Sequence, residues 1–112
     1  MGTREIKFRV WRPQLKRFRF FDISTGFNVE NTDVFKSVEQ YTGLKDNNSV
    51  EVYSCDVVEA FGGHVVGVVV QHRGAWMVKT DKGFEPLYEA YESCDLHVLG
   101  NIHENPELLT ND

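Results

Sequence analysis

Charged and apolar residues alternate in several short runs of this chain, with the period of two that is typical of a half-buried β-strand. Residues 4–11 read REIKFRVW, and residues 16–22 read KRFRFFD in the same rhythm. Pro13 lies between the two runs and has no N–H group to give to a sheet, so it marks a turn. The pattern predicts a β-hairpin whose outer face is basic.

Two more pairs of strands are predicted further along the chain. In the first pair, Gly43 and residues 46–49 (DNNS) provide the conformations and side-chain hydrogen bonds that favour a reversal. In the second pair, a β-branched run contains Gly67, which indicates a bulge or the close packing of an aromatic ring. Its turn is expected at residues 72–74. The strands predicted here are residues 38–42, 50–54, 65–71 and 75–80.

Helical signals are few. Residues 84–93 (FEPLYEAYES) favour a helix with Pro86 in its first turn, and residues 105–109 favour a short helical turn. A last strand is expected at residues 96–102, and residues 23–36 are expected to form a surface connection with one turn of helix. The chain is therefore expected to be all-β and mostly antiparallel, a small barrel or sandwich of irregular topology with one or two short helices.

The apolar phase of each run predicts the hydrophobic core. Phe8 and Val68 are expected to be the most sensitive to truncation because they lie mid-strand in the two clearest hairpins, whereas Arg9 is expected to point into water. The residues expected to face inward are Ile6, Phe8, Val10, Tyr41, Val52, Val57, Val66, Val68, Val70, Trp76, Val78, Val98 and Ile102.

Length and charge restrict the number of domains and the kinds of partner that the chain is expected to have. The 112 residues are expected to form a single domain, residues 1–112. The net charge is −5, yet residues 1–20 carry seven basic groups against one acidic group. No apolar run approaches the ~20 residues that a membrane-spanning helix needs, so no membrane partner is expected. A basic arm on an acidic body is the main electrostatic feature.

The basic hairpin supplies the candidate interaction surface. A nucleic-acid-binding ribbon would use its cations on phosphates and its tryptophan as a stacking platform. The same charges also fit the solvated face of an ordinary strand. The residues of this candidate surface are Lys7, Arg9, Trp11, Arg17 and Arg19.

Candidate chemistry is sparse. The histidines lack the close spacing of metal ligands, and no motif frames a nucleophile, so no catalytic residue, metal or cofactor is expected. Asp46 and Asp56 flank the central loop as a conceivable acid–base pair, although turn formation already accounts for Asp46. Cys55 and Cys94 are expected to be free thiols. The four histidines are His64, His72, His97 and His103.

Three stretches resemble the YopX family of small phage and prophage proteins: REIKFRVW, QYTGLKDNN–VEVYSCDVV and HVLGNIHENPELL. The resemblance implies an all-β barrel of irregular topology and implies no activity, because the family has no established biochemical function. Relatives tend to have glycine where this chain has Ser49 and Cys55. If those positions need a positive φ, each substitution costs of order 1 kcal/mol.

We therefore expect a non-enzymatic phage or prophage accessory protein in the cytoplasm of a bacterial host, which binds a protein partner or its own copies. The alternative is a weak nucleic-acid-associated protein that uses the basic hairpin. The acidic remainder of the chain opposes tight binding to nucleic acid.

Overall fold

A computed structural model describes residues 6–22 and 38–109, which form two antiparallel sheets and one short α-helix. The predicted all-β fold class is confirmed. The strands are β1 (Lys7–Arg12), β2 (Arg17–Asp22), β3 (Val38–Lys45), β4 (Glu51–Tyr53), β5 (Asp56–Ala60), β6 (Val65–His72), β7 (Ala75–Thr80), β8 (Gly83–Pro86) and β9 (Leu96–Asn101), and the helix is α1 (Leu87–Glu92). Short 3-10 helices occupy Phe61–Gly63 and Pro106–Leu109.

The first sheet has the strand order β2-β1-β3-β4. The predicted hairpin of β1 and β2 is confirmed, with Trp11 directly opposite Phe18. The predicted central hairpin of β3 and β4 is also confirmed, and its register shifts between Tyr41 and Lys45. Gly43 lies within that irregularity at a φ of 89°, a conformation that glycine adopts without steric cost.

The second sheet has the order β8-β7-β6-β5-β9. The predicted hairpin of β6 and β7 is confirmed, and Arg73 and Gly74 form its two-residue turn with φ values of 52° and 81°. Two consecutive positive φ values are the signature of a type I′ turn, which matches the twist of the flanking strands. Strands β5 and β8 were not predicted.

The helix is shorter than its predicted span of residues 84–93. The residue before a proline prefers extended backbone, and Gly83–Pro86 accordingly forms strand β8. The helix therefore begins only at Leu87. Pro86 lies just before the helix, with φ −63° and ψ 126°. The predicted last strand and the predicted turn near residue 106 are both present.

The hydrophobic core lies mainly between the second sheet and α1, and Val52 of β4 extends it to the first sheet. Its fully buried members are Val52, Val58, Ala60, Val69, Val78, Leu87, Ala90 and Leu96. Of the residues predicted to face inward, Val10, Tyr41, Val52, Val57 and Val78 are buried.

The predicted phase of β6 was wrong. Val66 is 40% exposed and Val68 is half-buried, whereas Gly67 and Val69 face the interior. A valine run is apolar on both faces, so its alternation cannot set the phase. Gly67 does set it, because a Cβ there would lie 2.2 Å from the Lys79 carbonyl oxygen of β7, a close approach of backbone rather than of an aromatic ring.

The predicted phase of β1 was also wrong in part. Ile6 precedes the strand and is 42% exposed, while Phe8 is half-buried and stacks on Phe21. Arg9, predicted to point into water, is buried. The physical reason is that two carboxylates from distant parts of the chain neutralise its guanidinium, so both faces of β1 are covered.

The loop between β3 and β4 joins the two sheets by covering the outer edge of β9. Asp46 Oδ2 accepts from the Val98 N–H at 2.9 Å, and Asn47 Oδ1 accepts from the Leu96 N–H at 2.6 Å. The Asn47 N–H donates to the Leu96 carbonyl at 2.9 Å. Asp46 Oδ1 also accepts from Asn48 and Val50, which confirms its predicted role in the turn. The loop thereby satisfies backbone groups that an edge strand would leave open.

The helical turn predicted in residues 23–36 lies outside the described residues. Within the described ranges, no helix is long and apolar enough to cross a membrane. Cys55 and Cys94 are free thiols.

Candidate functional site

Arg9 is buried at the centre of a charged cluster that joins the two sheets. It lies directly opposite Glu39 in the register of β1 and β3. Its Nε donates to Glu39 Oε1 at 2.8 Å, and its Nη2 donates to Asp56 Oδ1 at 2.7 Å. Asp56 Oδ2 accepts from the backbone N–H of Tyr53 at 2.8 Å. Because Arg9 and Glu39 are only 6% and 4% exposed, such complete pairing is what their burial requires.

His103 closes this cluster from the segment that follows β9. Its Nε2 lies 2.5 Å from Glu39 Oε2, and its ring stacks on Trp11 with centroids 5.2 Å apart and planes inclined by 9°. Phe18 packs against the edges of both rings. Asn101 Oδ1 accepts from the His103 N–H at 3.0 Å and so fixes the local backbone. The C-terminal segment is thereby held against the first sheet.

Burial raises the pKa values of acidic groups around the cluster. Desolvation raises the pKa of Asp56, although the charge of Arg9 opposes that shift. Burial, followed by the charge of Glu39, raises the pKa of the Cys55 thiol to about 11. Burial also raises the pKa of Tyr53 to about 12. Cys55 and Tyr53 are therefore uncharged at neutral pH.

These shifts limit the chemistry that the cluster can perform. A cysteine nucleophile needs a lowered pKa and a base in contact with its sulfur. Cys55 has a raised pKa, and Glu39, whose charge contributes to that shift, is a carboxylate that Arg9 already holds. The geometry is that of a structural ion-pair network.

The two aspartates that flank the central loop are each held by other partners. Asp46 bonds backbone N–H groups of its own loop and of β9, whereas Asp56 bonds Arg9 and Tyr53. Across residues 6–22 and 38–109, no group of three or more His, Cys, Asp or Glu side chains is placed to hold a metal ion.

The structure divides the predicted interaction surface between the two faces of the hairpin. Directly opposite residues project from the same face of a sheet, so the pairing of Trp11 with Phe18 and of Val10 with Arg19 separates Trp11 from Arg19. Lys7 and Arg9 share the face of Trp11, and Arg17 shares that of Arg19.

The cations on the face of Trp11 are neutralised. Lys7 forms an ion pair with Glu51, and Arg9 is the buried centre of the cluster described above. Including Arg9 in a solvent-facing surface was therefore wrong. Trp11 is half-buried beneath His103 and Phe18.

The exposed cations gather instead near the turn of the hairpin. Arg12 and Arg17 are direct cross-strand partners and both are exposed. Leu15 in the turn is 49% exposed. We call this surface the basic hairpin end; it consists of Arg12, Leu15, Lys16, Arg17 and Arg19.

An apolar groove separates β3 from β7 elsewhere on the molecule. Its volume of about 660 Å³ lies within the usual range of ligand-binding pockets. Trp76, half-buried, also packs against the hydrophobic core. We call this surface the β3–β7 groove; its main lining residues are Tyr41, Leu44, Trp76, Met77, Pro86 and Tyr88.

Comparison with known proteins agrees with this fold. The model of the YopX protein family matches residues 20–110. The chain belongs to the YopX family. The match includes the central and closing stretches on which the resemblance was based, whereas REIKFRVW at residues 4–11 precedes it. No curated protein matches the chain.

A solved structure shares the YopX-like fold. The crystal structure of protein EF1440 from Enterococcus faecalis superimposes with a TM-score of 0.50 at 24% sequence identity. The similarity covers 94% of this chain and 98% of that chain. At this identity the likeness shows the fold alone.

Two positions at which the family resemblance implies glycine have a left-handed backbone in this YopX chain. Ser49 has a φ of 64° and Cys55 has a φ of 70°, so both positions adopt the left-handed conformation that favours glycine. Ser49 lies in the loop that covers β9, and Cys55 lies in the turn that leads into β5. Lys16, Phe61, Arg73 and Cys94 share this left-handed conformation with Ser49 and Cys55.

Sequence reasoning missed the partners of Arg9. One signal was available: Glu39 shares its strand phase with Tyr41, which was predicted to be buried. A carboxylate on an inward face needs a cation, and the alternating strand that carries Arg9 offered one. No comparable signal identified His103.

Proposed function

We propose that this YopX-family chain is a non-enzymatic protein-binding module whose contact surface is the basic hairpin end, and whose partner surface is acidic. We further propose that it is a phage or prophage accessory protein that acts in the cytoplasm of a bacterial host, which is the role that the resemblance to the YopX family suggests. The partner is either a host protein or another copy of the chain.

The observation that carries this proposal is the direct pairing of Arg12 with Arg17. Like charges directly opposite each other on neighbouring strands destabilise a sheet, and these two are exposed. An acidic partner would relieve their repulsion, since guanidinium groups bind carboxylates in a two-pronged geometry. Leu15 adds an exposed apolar contact beside them.

The position of β2 at the edge of the first sheet is a second reason to propose a contact surface on this hairpin. In the described ranges, no strand pairs with the outer side of β2, whereas Asp46 and Asn47 cover the outer side of β9. Phe20 of β2 is 60% exposed. An unpaired edge flanked by exposed apolar side chains suits the addition of a partner strand.

The non-enzymatic part of the proposal rests on the buried cluster. The only charged groups gathered there are fully paired with one another, and the raised pKa of Cys55 keeps the thiol protonated at neutral pH. Both features suit a scaffold and neither prepares a nucleophile.

A weak nucleic-acid-binding role is the second candidate, favoured by the exposed cations of the basic hairpin end. Two of the four expected phosphate contacts, Lys7 and Arg9, are neutralised by carboxylates, and Trp11 is stacked on His103. The net charge of −5 further opposes binding. Fluorescence anisotropy with single- and double-stranded DNA and RNA at low salt tests it, and affinity that falls steeply with salt would favour it.

Capture experiments test the binding module. The bait is the whole chain, as wild type, as the Arg12→Glu/Arg17→Glu variant and as the control Lys79→Glu/Lys82→Glu, which makes the same charge change on exposed residues of β7 and its turn. Captured proteins are identified by mass spectrometry, and self-association is followed by light scattering. We expect a partner or a self-assembly that the hairpin variant loses and the control keeps. Binding that is equal in all three, or none in the wild type, would contradict the proposal.

A further inference from the structure

The basic hairpin end and the β3–β7 groove lie toward opposite ends of β3. Val10, near the hairpin turn, pairs with Val38 at the start of β3, and the groove is lined by residues at the end of that strand, from Tyr41 to Lys45. Eight strand residues span roughly 25 Å. The two surfaces therefore lie apart along the first sheet within one chain.

The groove continues into an exposed acidic and aromatic surface on α1. Tyr88 lines the groove, and Glu92, one turn later on α1, raises the pKa of the Tyr88 hydroxyl. Tyr88 is 59% exposed and Tyr91 is 42% exposed, with Glu89 exposed between them. Lys45 is the one cation among the groove residues of the described chain.

We infer that the β3–β7 groove and the adjoining face of α1 are the docking site for the basic hairpin end of a second copy of this chain. This inference rests on the proposed function and identifies its partner. Charge complementarity selects the occupant, because the hairpin end presents four exposed cations and α1 presents exposed carboxylates.

The side chains on the two surfaces match in chemistry as well as in charge. Leu15 is about half-exposed in the free chain, and in the docked pair it packs against Trp76 and Met77 of the other copy. Arg12 and Arg17 can lie over tyrosine faces beside Glu89 and Glu92, combining cation–π contact with ion pairs. Tyrosine, tryptophan and arginine are the residues that most often dominate interface energetics.

Docking one surface onto a different surface gives head-to-tail association. Such a heterologous contact closes into a ring or extends as an open chain, depending on the rotation between copies. The assembly should grow with protein concentration. It should also weaken as salt is added, because exposed ion pairs are screened.

A charge-swap experiment tests the pairing of the two surfaces. Variant A carries Arg12→Glu/Arg17→Glu, and variant B carries Glu89→Lys/Glu92→Lys. Variant A alone places two carboxylates of the hairpin end opposite the carboxylates of α1, and variant B alone places two lysines of α1 opposite the cations of the hairpin end. In a mixture, the new carboxylates of A face the new lysines of B, and the unchanged hairpin end of B faces the unchanged α1 of A. Mass is measured by light scattering and by sedimentation across a concentration series, with Lys79→Glu/Lys82→Glu as a charge-matched control.

We expect the wild type and the control to associate and A and B to be monomeric alone, with dissociation constants weakened by about 100-fold or more. The A and B mixture should associate again. Failure of the mixture to associate, or association of A alone, overturns the inference.

A wild type that is monomeric at all concentrations also overturns it, and the capture experiment then decides the proposed function separately. If the monomer still captures a host protein in a way that depends on Arg12 and Arg17, only the self-docking inference has failed. If it captures none, both have failed.

Discussion

Arg9 Nη2 donates to Asp56 Oδ1 at 2.7 Å, and this bond joins β1 of the first sheet to β5 of the second. Glu39 of β3 holds the same guanidinium from the neighbouring strand and also contacts His103. The cluster therefore connects both sheets and the C-terminal segment. The hairpin that carries Arg9 is thereby anchored to the second sheet.

Asp46 anchors the sheets at a second point, and its replacement by asparagine tests that contact. Asp46→Asn keeps an acceptor for the Asn48 and Val50 N–H groups but places an amide NH₂ opposite the Val98 N–H. We expect the free energy of unfolding to fall by about 1–3 kcal/mol, which is the usual cost of leaving a buried donor without an acceptor. Hydrogen exchange should show the Val98 amide losing protection.

The control for that experiment is Asn48→Ala, since the Asn48 side chain is exposed. It should leave the protection of Val98 unchanged. Unaltered exchange at Val98 in Asp46→Asn would mean that the loop does not cover the edge of β9.

The strained turn positions predict a stabilising substitution. Ser49→Gly should raise the free energy of unfolding by up to about 1 kcal/mol, because Ser49 has a φ of 64° and glycine adopts that conformation freely. Asn48→Gly, at a neighbouring position without a positive φ, should lower it. Chemical denaturation compares the two, and a loss of stability in Ser49→Gly would refute the strain at this turn.

Alkaline pH should destabilise the folded protein, because Cys55 and Tyr53 ionise more readily in the unfolded chain. Folding raises the pKa of Cys55 from 9 to about 11 and that of Tyr53 from 10 to about 12. Because the folded values are the higher ones, each contribution to stability is complete below the unfolded pKa and is lost as pH rises through the folded pKa. The free energy of unfolding should therefore decline from about pH 9 to pH 12.

Two variants separate these contributions. Cys55→Ser should remove the part of the decline that begins at pH 9, and Tyr53→Phe should remove the part that extends to about pH 12. Denaturation at a series of pH values measures both differences from wild type. Parallel pH profiles for wild type and both variants would contradict the burial of these side chains.

The hairpins were predictable because their information is local. In the β1–β2, β3–β4 and β6–β7 pairs, alternation and turn residues occupy one continuous stretch, so a reader of the sequence sees both strands and the turn together. The short strand β8 was missed because Pro86 within a helical pattern suggested a helix start. The preference for extended backbone before proline was the competing rule.

The candidate site was not predictable to the same extent. Arg9 reaches carboxylates 30 and 47 residues away along the chain, at Glu39 and Asp56, and His103 arrives from a segment 64 residues beyond Glu39. An alternating pattern predicts that a charged residue is exposed to solvent, and only knowledge of these distant partners would have changed that prediction. The Arg12–Arg17 pair is different, since it follows from the register of one hairpin.

The most direct test compares two arginines of the same hairpin by chemical denaturation, Arg9→Met and Arg17→Met. Both variants lose one positive charge, but Arg9 is buried between Glu39 and Asp56 and Arg17 is exposed. We predict that Arg9→Met lowers the free energy of unfolding by about 3–5 kcal/mol, because it leaves buried carboxylates unpaired. Arg17→Met should change it by no more than about 0.5 kcal/mol. Equal effects, or a larger loss at Arg17, would contradict a buried Arg9 that joins the two sheets.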